Sequence, residues 1–258
     1  MKYLLTIDIG NTNTVFGIFS NERLVKSWRI VTKRNRTSDE LGVYLTSFFS
    51  TCGYKLEDIK DVIYSSVVPS FNPILDRMIE EYFHRKPIKV AYDMKLPLKY
   101  HYPRPFELGA DRIVNAVAGI TLYNKDLIII DLGTATTFCL IKDNFYEGGV
   151  IAPGLKMSME ALHNRTALLP LVEFAKPLSG ILADSTIHSI QAGFFYGWIG
   201  LLNEIKKQLK LKFPNTKFLT IGTGGLCGVI YKEVPDIFDI IDKDLTLKGL
   251  KIIYDYQI

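Results

Sequence analysis

Residues 5–19 read LTIDIGNTNTVFGIF: an apolar run that reaches Asp8, a turn built from Gly, Asn and Thr, and a second run of alternating apolar residues. A carboxylate at the end of strand-like sequence is costly unless it is solvated, hydrogen-bonded or coordinating something. Two readings stand side by side at this point. The turn itself calls for such residues, because Asp and Asn satisfy backbone donors and Gly10 would supply a positive φ. Alternatively, a ligand calls for them.

The second half of the chain bears on that choice. Residues 127–141 read LIIIDLGTATTFCLI, again an apolar run, an aspartate, a Gly and Thr turn and a return. With a constant offset of 123 residues, Asp8, Gly10 and Thr14 fall on Asp131, Gly133 and Thr137. Self-similarity at about half the chain length is the mark of a duplicated unit, so we expect two similar α/β lobes, 1–117 and 118–258. Two turns that share an Asp-x-Gly pattern favour a shared job. Backbone N–H groups and Thr hydroxyls at such a tip donate to phosphate oxygens, while the acid holds a cation against them. Nucleotide phosphates with Mg²⁺ fit, and ATP-dependent phosphoryl transfer in a cleft between the lobes is the expected chemistry. No GxxxxGK[ST] loop and no strand-to-helix GxGxxG is present, which sets aside the P-loop and Rossmann fingerprints. IGTGGL, residues 221–226, is a second glycine-rich turn suited to approach the adenosine.

Composition agrees with a soluble enzyme. The 258 residues are 48% hydrophobic and 22% charged, with 31 basic against 27 acidic side chains for a net charge of +4. That charge is diffuse, so no nucleic acid is expected as partner. Lys33, Arg34 and Arg36 form the densest basic cluster and read as a solvated loop. MKYLLTIDIG meets a charge too early for a signal peptide, and no apolar stretch approaches a membrane span, so a cytoplasmic protein with no membrane partner is expected. Cys52, Cys139 and Cys227 have no metal-ligand spacing, and His84, His101, His163 and His188 are scattered.

Strand-like segments at 3–9, 14–19 and 24–30 come first. Thr37 and Glu40 form a capping box for a helix stopped by Gly53. A buried strand at 62–68, a helix from Pro73 to about His84 and a strand at 88–92 follow. Strands, then alternation with helices, means α/β. Leu155, Met159 and Leu162 line one face of a later helix and are expected in a core. A long helix from about Thr186 to Leu209 contains Gly193, Gly197 and Gly200, each of which weakens it unless another backbone packs close. That neighbour is either an element of this chain or a second subunit.

GADR, residues 109–112, precedes the apolar Ile113, Val114 and Val117, so Asp111 sits at a helix start. A carboxylate there caps orphan N–H groups. A loose phosphoryl-transfer transition state also asks for an oriented base, and the two roles are compatible.

The hairpin DIGNTNTVFGIF, ELGADRIVNAVAGI (107–120), DLGTATTFCLI and GGVIAPGLKMSMEAL (148–162) resemble, in order and spacing, the type III pantothenate kinases of the actin, sugar kinase and Hsp70-like ATPase superfamily. The similarity runs from Tyr3 to about Tyr254. It implies two actin-like (ribonuclease H-like) lobes and phosphorylation of pantothenate by ATP, the first step toward coenzyme A. It also implies ATP contacts from Asp8, Ile9, Gly10, Asn11, Thr12, Asn13, Thr14, Val15 and Thr134, with Asp8 helping to hold Mg²⁺. Asp131 matches the ligand of a monovalent cation, K⁺ or NH₄⁺. Asp111 matches the proton acceptor, and Tyr102, Gly109, Ala110, Asp111, Arg112 and Thr186 match substrate contacts. Tyr100 competes with Tyr102, and a helix cap is the other role open to Thr186. Arg104 stands where relatives often carry Asn or Asp, a departure within the substrate loop. The family is typically dimeric, so a homodimer is expected. A sugar kinase of the same fold, or a transcriptional accessory protein that binds nucleotide without turnover, are the alternatives.

Overall fold

The computed structural model describes residues 2–258. In chain order the elements are β1 (Tyr3–Ile9), β2 (Asn13–Ser20), β3 (Arg23–Val31), α1 (Ser38–Thr51), β4 (Ile59–Ser66), α2 (Asn72–Phe83), β5 (Ile88–Lys89), β6 (Lys99–Tyr100) and α3 (Ala110–Tyr123). Then come β7 (Leu127–Leu132), β8 (Ala135–Lys142), β9 (Phe145–Pro153), α4 (Leu155–Asn164), α5 (Thr186–Leu211), β10 (Leu219–Thr223), α6 (Cys227–Glu233), β11 (Ile240–Ile241) and α7 (Leu245–Gln257).

The chain forms two compact units, one of residues up to Tyr123 together with Asp244–Ile258, the other of Asn124–Lys243. This differs from the expected division at 117/118. Halving the chain by the repeat cuts through α3, a continuous helix with an almost wholly buried middle, and misses the return of α7 to the first unit. There α7 lies on α3 so closely that a Cβ at Gly249 would come 2.4 Å from the Val114 carbonyl oxygen. Thr246 donates to Asn115 at 2.8 Å, and the buried Lys251 ammonium bridges Glu22 and Asp255.

The first unit has a five-stranded sheet in the order β3-β2-β1-β4-β5. β1 is antiparallel to β2 and parallel to β4, so it is central, with Leu5, Ile7 and Ile9 on one face and Leu4, Thr6 and Asp8 on the other. Leu5, Ile7, Ile9, Phe16 and Ile18 meet α1 through Leu41, Leu45 and Phe49 and α2 through Leu75, Met78 and Ile79. The capping box is formed as expected: Glu40 N–H donates to the Thr37 hydroxyl at 3.2 Å and Thr37 N–H to the Glu40 carboxylate at 2.8 Å. Gly53 at φ 75° ends that helix. The expected strand at 88–92 shortens to Ile88–Lys89. Arg36 does not join a solvated loop: it is buried, its guanidinium lies 4.8 Å from the Tyr44 ring and donates to the Val31 carbonyl.

In the second unit the order β9-β8-β7-β10-β11 repeats the first, with the same sense of pairing at every step. Ile128, Ile130 and Phe138 pack with Leu155, Met159, Trp198 and Leu202. Leu162, expected in that core, is only half-buried.

Candidate active site

The β1–β2 tip is closed by the Gly10 N–H donating to the Asn13 carbonyl at 3.0 Å. Gly10 does not adopt a positive φ, contrary to expectation. Its requirement is space, since a Cβ there would stand 3.1 Å from that same oxygen. Asn11 and Thr12 are exposed at the tip, Gly10 and Asn13 half-buried, and Ile9 is in the core, so Ile9 offers only its backbone. Thr14 is fully buried and its hydroxyl shares a 2.8 Å hydrogen bond with Thr32. Thr14 therefore fastens the tip to the end of β3, a second tie beside the Thr32 N–H to Thr12 carbonyl bond of 2.9 Å. From the same segment Arg34 donates to the Asn11 side-chain oxygen at 3.1 Å.

Asp8 stands one residue before the tip, opposite Val15 on β2 and opposite Ser65 on β4. The Ser65 hydroxyl donates to Asp8 Oδ1 at 2.6 Å. Burial pushes the Asp8 carboxyl from 3.8 up to about 7; the Ser65 bond opposes the rise, the neighbouring Asp111 charge adds to it, and Arg29 draws it down. Ser65 and Arg29 are the participants that sequence reading missed. Ser65 lies 57 residues from Asp8 and carries no local signal; only the parallel register of β1 and β4 brings them together.

Asp111 occupies the second position of α3. Its Oδ1 accepts the Arg112 N–H at 2.8 Å, which satisfies one orphan donor of the first turn from within the helix. A Cβ at Gly109 would lie 2.5 Å from that oxygen, so glycine is what lets the carboxylate fold back over the helix start. Burial raises the Asp111 carboxyl, against the Arg112 N–H and then the Arg112 charge. Two carboxylates, both pushed toward neutrality first by burial, with the Asp111 charge adding to the rise at Asp8, are the electrostatic signature of the first unit. Tyr102 is half-buried in the preceding loop, and the Tyr100 hydroxyl is buried without a protein partner and pushed up to about 12 by burial. Arg104 pairs on the surface with Glu107 at 3.1 Å.

In the second unit Asp131 stands opposite Thr137 on β8 and Thr223 on β10. Gly224 follows at φ 90°, and a Cβ there would come 2.4 Å from Asp131 Oδ1, so bare backbone approaches this carboxylate. Thr134 is half-buried at the β7–β8 tip. Thr186 is exposed at the first position of α5 and does not cap it; the cap is Ser185, whose hydroxyl accepts the His188 N–H at 3.2 Å. Gly193, Gly197 and Gly200 have open space where a Cβ would point, so among the described residues none packs on them there.

Among the described residues no cluster of three His, Cys, Asp or Glu side chains could hold a metal. Mg²⁺ fits a site of this kind by its other habit, one or two carboxylates plus substrate phosphates. Asp131 with a Cβ-free backbone beside it fits a monovalent cation. Among the described residues no helix is long and apolar enough to cross a membrane.

The family profile described as type III pantothenate kinase matches residues 4–208. A type III pantothenate kinase of Halalkalibacterium halodurans is 44% identical over 252 residues, 97% of this chain and 98% of the relative. One from Geotalea uraniireducens is 46% identical over 252 residues, 97% of each. Among solved structures, the inorganic polyphosphate/ATP-glucomannokinase of Arthrobacter sp. strain KM superposes with a TM-score of 0.51 at 15% identity, covering 100% of this chain and 99% of that one, a likeness of fold alone.

Proposed function

The chain belongs to the type III pantothenate kinase family and is an ATP-dependent kinase of pantothenate in coenzyme A biosynthesis, and on that premise we propose that Asp111 is the base that accepts the substrate's hydroxyl proton. The observation that carries this reading is the Asp111 carboxylate folded back over the start of α3 in the space that Gly109 leaves, where its charge acts on Asp8 beside the β1–β2 tip. In the reaction the pantothenate hydroxyl oxygen bonds to the γ-phosphorus, the bond from that phosphorus to the β,γ-bridging oxygen breaks, and ADP leaves with the electron pair. The hydroxyl proton passes to Asp111. A carboxyl raised by burial is better matched to that task than an exposed one, and the Arg112 N–H orients it by holding one of its oxygens.

Asp8, anchored by the Ser65 hydroxyl, would help to hold Mg²⁺, which would supply positive charge against the phosphates when bound. The Gly10–Val15 segment binds phosphates through backbone N–H groups and the exposed Asn11 and Thr12 side chains. Asp131 would hold K⁺ or NH₄⁺, and Thr134 would contact ATP. Tyr102, Gly109, Ala110, Arg112 and Thr186 bind pantothenate, with the Arg112 guanidinium directed to its carboxylate. The coupled assay of ATP consumption with pantothenate against a sugar panel tests this. Turnover with pantothenate alone is expected; turnover with a sugar, or with neither, contradicts it.

The partner of α5 is a second copy of this chain. Gly193 and Gly197 line a groove of about 590 Å³ together with Thr186, Phe194, Trp198 and Leu201, and the Trp198 indole N–H has no protein partner. Gly197→Leu is expected to shift the protein toward monomer by light scattering at unchanged helix content. A variant that stays dimeric overturns this assignment.

A further inference from the structure

The first unit concentrates negative charge: two carboxylates, and in the proposed reaction a triphosphate. Phosphoryl transfer asks for positive charge at the equatorial oxygens of the moving group. Three arginines stand around the site, and the sheet register distinguishes them. Arg112 is buried and belongs to the helix that carries Asp111. Arg34 is tethered to Asn11 at the outer end of the tip.

Arg29 is placed differently. Ser65, Asp8, Val15 and Arg29 form one row across β4, β1, β2 and β3, each directly opposite the next. Residues directly opposite in a sheet point to the same face, so Arg29 shares the face of Asp8, two strand spacings or about 10 Å away between backbones. That face is opposite to the one on which Ile7, Ile9 and Phe16 pack. Only the half-buried Val15 stands between the two side chains. Arg29 is exposed, and among the described residues it forms no ion pair. Its charge nonetheless reaches Asp8, on which it acts in the sense opposite to Asp111.

We propose that Arg29 is a further catalytic residue of the kinase, its guanidinium lying over the β1–β2 tip and contacting the γ-phosphoryl group as it transfers. The proposal rests on the reading of that tip as the phosphate site. A fork of N–H donors suits phosphate oxygens, and from β3 it approaches on the side of Asp8 away from Ser65. β3 is also the edge strand of its sheet, where an exposed charge discourages pairing with other chains. That purely protective role predicts no selectivity for the third phosphate, which separates the two.

The test compares wild type, Arg29→Gln and Arg29→Lys in two measurements: steady-state kinetics with pantothenate, and calorimetric affinity for ADP and for a non-hydrolysable ATP analogue. For Arg29→Gln kcat is expected to fall by roughly 10² to 10³. Affinity for the analogue should weaken by about tenfold or more while that for ADP changes by less than about threefold, with Arg29→Lys between Gln and wild type. A kcat within about threefold of wild type, or equal weakening of ADP and analogue, overturns the proposal. Should wild type fail to turn over pantothenate, the kinase reading falls by itself, and the ratio of analogue to ADP affinity still decides the assignment of Arg29.

Discussion

The two hairpins that open the two units share a sheet order and a carboxylate, and they differ in what surrounds it. In the first, Asp8 faces side chains: the Ser65 hydroxyl, the Asp111 carboxylate and the Arg29 guanidinium. In the second, Asp131 faces backbone, because Gly224 stands against it where a Cβ would not fit. The tips differ by one residue in length. Ile9 pairs with Thr14 and Leu132 with Thr136, so the structural equivalent of Thr14 is Thr136 and not Thr137, the residue that a constant offset selects. Thr14 shares its hydrogen bond with Thr32. Continuing the register places Gly154 at the position of Thr32, and the Thr136 hydroxyl is left buried without a protein partner. Gly154 is required there, since a Cβ would come 2.0 Å from the Thr134 carbonyl oxygen as the chain turns into α4. One fold thus serves a site of charged side chains in one copy and a site of close backbone in the other.

The largest expected effect separates the two carboxylates. Asp8→Asn removes the proposed cation ligand of the reactive tip and is expected to lower kcat by on the order of 10³. The same change should stabilise the ligand-free protein in alkaline buffer. A carboxyl with a folded-state value of about 7 against 3.8 binds more protons folded than unfolded between those values, so its penalty is full above about pH 7 and fades as pH falls toward 4. The gain in melting temperature of Asp8→Asn over wild type should therefore be larger at pH 8 than at pH 5, and a variant that melts lower at pH 8 contradicts the environment described for Asp8. Asp131→Asn is the contrasting substitution. It is expected to abolish activation by potassium, lowering turnover in potassium buffer by about 10- to 100-fold, with ATP analogue affinity less affected. Equal wild-type rates in sodium and potassium would falsify the cation role.

Much of this was legible from residues alone. The Asp-x-Gly repeat announced the duplication, Thr37 and Glu40 announced α1, and the glycines of α5 marked a helix that asks for a close neighbour, from this chain or a second subunit. What sequence concealed is what long-range pairing decides. The return of α7 to the first unit has no local signal, because Gly249 reads as an ordinary helix breaker until Val114 is placed beneath it. Ser65 and Arg29 reach Asp8 only through strand register, 57 residues downstream and two strands across. The burial of Arg36 depends on Tyr44 arriving from α1. The one-residue slip at Thr137 is invisible to a constant offset, since both tips offer threonines on either side of the correct match.

The smallest expected effect tests the two tips against each other. Thr14→Val strands the Thr32 hydroxyl and should cost about 1 kcal/mol, whereas Thr136→Val removes a hydroxyl that has no partner and should be neutral or slightly stabilising. Denaturant midpoints at unchanged slope measure the difference. Equal costs at both sites would contradict the asymmetry between the tips.

Asp111→Asn bears most directly on the assignment of the base. Asn is nearly the same shape and keeps an oxygen for the Arg112 N–H, so the fold and the affinity for an ATP analogue should survive. What the substitution removes is the acceptor for the hydroxyl proton, and loss of a positioned base costs on the order of 10² to 10⁴ in rate. Steady-state turnover with pantothenate should collapse by that factor, while pantothenate affinity measured calorimetrically with the analogue bound changes by less than about threefold. A variant with near-normal kcat and lowered stability would show that Asp111 serves the first turn of α3 and that the base lies elsewhere.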